Sequence, residues 1–122
     1  MPIQMSEDSG GEFSTIHVSG VLSKTDFEHF GPEFDRRLRQ HGKLRVLFDM
    51  ADFRGWEPAA MWEEIKFDIK HFADIERMAM VGDKQWQHLM AMLGKPFVKA
   101  EIRYFGHADF AGARTWLLAA ET

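Results

Sequence analysis

The chain has 122 residues, 45% of them hydrophobic, with no Cys and a formal net charge of −4. That length fits one domain, residues 1–122, and the apolar share can fill a core without disulfides or a structural metal. The acidic balance argues against nucleic acid, whose phosphates call for a concentrated basic face. Pro2 to Asp8 turns polar at once, so no secretory leader is expected, and no apolar run approaches the roughly 18 residues of a membrane span. With Cys absent as well, the cytoplasm is the expected location.

In chain order, residues 3–8 read as a short strand, and Ser9-Gly10-Gly11 as a turn. Phe13, Ile16, Val18 and Val21 mark a second strand, which makes a hairpin with the first and which Gly20 ends. His17 reads as a structural residue of that strand. Ser23 and Asp26 form a capping-box pattern, and Phe27, Phe30, Phe34 and Leu38 follow at helical spacing. Gly31-Pro32 predicts a kink or two short helices, and His41-Gly42 a helix end. Arg36, Arg37 and Arg39 read as a solvated basic patch.

Leu44 to Phe48 is nearly all apolar, as befits a strand covered on both faces. Asp49 to Trp56 reads as a loop, and Pro58 as a first helical residue. On a wheel of about 100° per residue, Met61, Trp62, Ile65, Ile69 and Phe72 share one arc, predicted to be the core face, with Phe67 opposite near Ala60. Glu64, Asp68 and His71 share an edge, read as a solvated flank rather than a metal site. Glu76 to Val81 is another strand; Asp83 should cap a helix that buries Trp86, Leu89, Met90 and Leu93. Phe97 to Phe105 alternates as a strand near a sheet edge, and Ala108 to Ala120 forms a last helix on Phe110, Ala113 and Leu117, with Trp116 on its flank. The order ββαβαβαβα predicts an α/β fold: a mixed sheet of about five strands, an N-terminal β-hairpin and about four helices, which cover both faces or crowd one.

No Ser or Thr occurs between Asp26 and Arg114, and with no Cys there is no such nucleophile on the central loops. Neither GxGxxG nor GxxxxGK[ST] is present to cradle a nucleotide, and no HExxH or paired-His spacing suggests a metal. The reading is therefore non-enzymatic, with no cofactor and no metal. The surface left for function is the rim at the carboxyl ends of the strands. It should display Asp52, Arg54 and Trp56 from one loop beside Asp83, Lys84 and Trp86 from the next, with His107 after the final strand. Met61, Trp62, Met90 and Met92, with Trp86, are candidates to line an apolar pocket beneath the helices.

The run FDMADFRGWEPAAMWEEIKFDIKHF, with VGDKQW at Val81 to Trp86, AEIRYF at Ala100 to Phe105 and ARTWL near the end, resembles the SpoIIAA-like family of small STAS/SEC14-type bacterial proteins. The resemblance implies a STAS-like α/β fold. Anti-sigma-factor antagonists of the STAS class carry a phosphorylatable Ser at the helix after the central strand, and Ala51 to Pro58 has none. Two readings follow. One is a protein-interaction or regulatory module without the phospho-switch, taking a protein partner or a second copy of itself. The other, implied by the SEC14-like kinship, is a binder or carrier of a lipid or other apolar small molecule.

Overall fold

A computed structural model describes residues 3–7, 13–71, 73–94 and 101–119, without the side chains of His41, Asp68, Ile69, Met90, Leu93 and Gly94. Strands β1 (Ile3–Glu7), β2 (Ser14–Leu22), β3 (Leu44–Trp56), β4 (Ile75–Gly82) and β5 (Glu101–Gly106) form one sheet in the order β1-β2-β3-β4-β5. β1 pairs antiparallel to β2, and every later pairing is parallel. The hairpin and the mixed sheet are thus as expected, and β5 is an edge strand.

Helices α1 (Lys24–His41), α2 (Pro58–Lys70) and α3 (Gln85–Gly94) connect the parallel strands, and α4 (Phe110–Leu118) follows a short 3₁₀ turn at His107–Asp109. Because each crossover is right-handed and each strand is added on the same side, α1, α2 and α3 must all fall on one face. There Phe27, Phe30 and Phe34 of α1 and Phe67 of α2 meet Ile16, Val18, Val46 and Met78. α3 joins them over β5, where His88 stacks on Tyr104 at 4.4 Å. Among the described residues the opposite face is covered by one helix, α4, with Ala113 and Leu117 beside Phe13 on Leu47, Ala79 and Val81.

α1 starts as predicted. The Ser23 N–H donates to the Asp26 carboxylate at 2.7 Å and the Asp26 N–H donates to the Ser23 hydroxyl at 3.3 Å. It also ends as predicted, at Gly42 with φ 71°, whose N–H donates to the Leu38 carbonyl. Pro32 does not divide it: one 18-residue helix runs through. Of its basic patch, Arg36 and Arg39 are exposed as expected but the Arg37 side chain is largely buried, and Arg36 and Arg37 both pair with Glu33. α4 ends against two arginines from the sheet. Arg45 donates to the carbonyls of Leu117 and Ala119, and Arg77 to those of Trp116 and Ala119. Positive charge at a helix C-terminus meets both the unpaired carbonyls and the negative end of the helix dipole.

Candidate functional site

The segment expected to be a loop, Asp49 to Trp56, is strand. β3 runs 13 residues, past the end of β4, whose last pairing with it is Asp49 opposite Val81. Its continuation pairs only with β2, through register shifts between His17 and Ser19 and between Gly20 and Val21. Gly20 and Gly55, at φ 62° and 133°, supply the left-handed backbone that these bulges need. The polar pattern and Gly55 resemble a loop because bulges break strand alternation. His17 helps to hold the irregular region, its Nδ1 standing 3.2 Å from an Asp49 oxygen and its Nε2 3.7 Å from one of Asp52.

Beyond Val81, β3 has no strand neighbour on its β4 side, so its carbonyls need another partner. Gln87 of α3 provides it. Its buried amide donates to the carbonyls of Met50 at 2.7 Å and Phe53 at 3.1 Å, while its oxygen accepts from the N–H groups of Asp83 and Lys84. Helix α3 begins at Gln85, so Lys84 and not the expected Asp83 stands immediately before it. Sequence reading missed Gln87 because a Gln between Trp86 and Leu89 looks solvent-facing; the missing partner strand, its only signal, is a tertiary fact.

This bracket brings the ends of β3 and β4 and the two rim tryptophans to one place. Phe53 is buried and packs its ring against Trp56 at 4.9 Å and Trp86 at 5.8 Å. Asp52, Arg54, Asp83 and Lys84 stand exposed around that row, and Trp56 is half-buried. Below the turn, Tyr104 has its hydroxyl pKa pushed up, first by burial and then by the charge of Asp83. A crevice at such a rim requires a reversal of strand order, and this sequential sheet has none.

The candidate pocket residues lie elsewhere. Met61 is 49% exposed, Trp62 62% and Met92 45%, and the Met90 side chain is outside the described residues. Of the predicted core arc of α2, Met61 and Trp62 therefore face outward and Ile65 is half-buried, while the Ile69 side chain and Phe72 lie outside the described residues. The inner side of the helix is the opposite one: Ala60 is fully buried, Phe67 lies among Phe30 and Phe34, and His71 is buried against Asp74 at 2.9 Å and Asp35 at 3.4 Å. α3 repeats the inversion. Leu89 is 60% exposed and Trp86 37%, while Gln87 and Ala91 are buried. On α2 the inward side is the one whose Phe67 packs its ring on Phe30 and Phe34 of α1.

Beneath α1 and α2 lies a cavity of about 40 Å³, walled by Phe27, Phe30, Phe34, Phe48 and Phe67, with Glu64 as its polar member. Of the Glu64, Asp68 and His71 edge, Glu64 turns to this cavity and His71 to its two aspartates; the Asp68 side chain is outside the described residues. Among the described residues no group of three His, Asp or Glu is placed to hold a metal, and no helix is long and apolar enough to cross a membrane.

The SpoIIAA-like family model matches residues 13–118. The chain belongs to the SpoIIAA-like family. A crystal structure of an uncharacterized protein of the DUF3478 family with a SpoIIAA-like fold, from Shewanella loihica PV-4, superposes with a TM-score of 0.81. The two are 22% identical over 94% of this chain and 91% of that one, a likeness of fold. No curated protein matches the chain.

Proposed function

We propose that this SpoIIAA-like protein is a non-enzymatic, cytoplasmic interaction module that docks a partner protein on the outer sides of α2 and α3. One observation carries the reading: two helices on the same face of the sheet each expose large apolar side chains to solvent. Met61 and Trp62 on one and Leu89 and Met92 on the other exceed the scattered apolar exposure of an ordinary surface. The row Trp56–Phe53–Trp86 lies where the carboxyl end of β3 meets the start of α3, with Arg54 and Lys84 exposed around it as polar flanks. Large aromatics and Arg are the side chains that most often anchor protein interfaces.

The alternative, a carrier of lipid or another apolar molecule, draws less support. Pockets that enclose such ligands span about 300–1,000 Å³, whereas the cavity described here holds about 40 Å³. The test uses the double variant Trp62→Ser with Leu89→Ser, two exposed positions. A partner cross-linked to the wild type, identified, purified and recombined with it should bind the wild type at least tenfold more tightly than the variant, at an unchanged melting temperature. Equal binding by both would remove this face as the docking surface.

A further inference from the structure

β5 closes the sheet on one side, and among the described residues no strand pairs with its outer edge. We infer that this edge is an interface between two copies of the chain, which join antiparallel through β5 into one continuous sheet. An unpaired strand edge presents its N–H and C=O groups in register for another strand. Edges guarded against such pairing typically carry lysines or a proline. β5 instead carries Glu101 and Arg103, opposite charges two residues apart. β1, the other edge, has Glu7 as the single charge of Ile3–Glu7.

Alternation along the strand fixes the sides. Phe105 packs on the α4 side and Tyr104 on the three-helix side, so Glu101 and Arg103 share the former and Ile102 takes the latter. A two-fold axis perpendicular to the sheet pairs each residue with one on the same side. Centred on Arg103, it would set two guanidiniums directly opposite each other; centred on Tyr104, it would leave Glu101 beyond the end of the ladder. Centred on Ile102, it sets Glu101 opposite Arg103 twice and Ile102 opposite its own copy. Opposite charges across a strand pair stabilise it and like charges destabilise it, which selects the last register. Neither charge has to be idle for this. Glu101 keeps Arg77 at 3.9 Å with its side chain 61% exposed, and a carboxylate accepts from several donors. The Arg103 guanidinium lies over the Trp116 ring at 5.2 Å, a stacking that orders the side chain and leaves its in-plane N–H groups for an acceptor.

The experiment is sedimentation velocity of the full chain beside two charge reversals. Wild type should dimerise reversibly. Glu101→Arg and Arg103→Glu each set like charges opposite one another and should associate at least tenfold more weakly. An equimolar mixture of the two variants restores opposite charges at both pairs and should form the mixed dimer. Hydrogen exchange gives a second readout on wild type alone: the amides of Glu101–Gly106 should slow as concentration rises, and those of Ile3–Glu7 should not. A wild type that stays monomeric, single variants that dimerise as wild type does, a mixture that stays monomeric, or exchange in β5 that ignores concentration would overturn the inference. Trp62→Ser with Leu89→Ser should leave the dimer intact. Loss of the dimer in that variant would place the second copy on the α2–α3 face and overturn the β5 interface, whereas a failure of partner docking on that face leaves the β5 interface untouched.

Discussion

The side-chain amide of Gln87 donates to the backbone carbonyl of Phe53 across 3.1 Å, joining the start of α3 to a stretch of β3 that has outrun its neighbouring strand. The same amide reaches Met50, and its oxygen reaches the Asp83 and Lys84 amides, so one side chain stands in for two residues of missing sheet.

Replacing Gln87 by Met keeps the length and removes every one of these bonds. Buried backbone groups left unmet cost about 1–3 kcal/mol apiece where water cannot reach them. We expect a loss of about 3 kcal/mol in urea denaturation, with the rim resonances of Trp56 and Trp86 most displaced. A loss below about 1 kcal/mol would mean that water replaces the amide readily.

Gly82→Ala tests the same bracket from the other side. A Cβ at Gly82 would come within 2.4 Å of the Gln87 oxygen and 2.9 Å of the Tyr104 hydroxyl. Both groups are held, the first by the amides of Asp83 and Lys84 and the second under the stacked His88 ring, so neither can step aside freely. Overpacking of this kind costs about 1–3 kcal/mol. Thermal melts should place this variant below wild type, and an unchanged melting temperature would show the turn to be softer than described.

The two sides of α2 should respond in opposite ways to truncation. Trp62→Ala removes a ring that is 62% exposed, so stability should change by no more than about 0.5 kcal/mol. Phe67→Ala removes a ring packed on Phe30 and Phe34 and should cost about 3 kcal/mol. Paired urea denaturation curves decide it, and equal losses would contradict the inverted helix.

That inversion shows where sequence reading stops. The strands, their order and the ends of α1 were legible because each rests on local chemistry: apolar runs in β3 and β4, the Ser23–Asp26 box, and the positive φ of Gly42. The faces of α2 and α3 were not. A helical wheel turns the most apolar arc inward, yet Ala60, Glu64, Phe67 and His71 face in, selected by the rings already presented by α1. Trp56 and Trp86 do meet on a common neighbour, Phe53, though Asp52 to Trp56 reach the rim as a bulged strand. Bulges depend on the register of a partner strand 30 residues or more away, which no local pattern records.

Tyr104 is the sole tyrosine, so phenolate absorbance reports on it alone. Burial and then the Asp83 charge disfavour its ionised form, and its pKa lies above the usual tyrosine value. For a group raised on folding, the stabilisation is complete below the unfolded pKa and is lost as pH climbs through the folded one. Spectrophotometric titration should show ionisation later than for the denatured chain, and Asp83→Asn should recover the smaller part of the delay. Simultaneous ionisation in both states would contradict the described burial.

The sequential strand order has a consequence for how the protein is made. The three-helix face can close strand by strand as the chain leaves the ribosome, since each new strand docks on the one just before it. The other face cannot. Leu47, Ala79 and Val81 stay largely uncovered until α4 has been synthesised, because among the described residues before them only Phe13 packs on that side. Arg45 and Arg77 wait there for the carbonyls of a helix that arrives about forty residues or more later. A released chain truncated before Phe110 would therefore have all five strands and one bare apolar side, a form suited to chaperone capture or to aggregation.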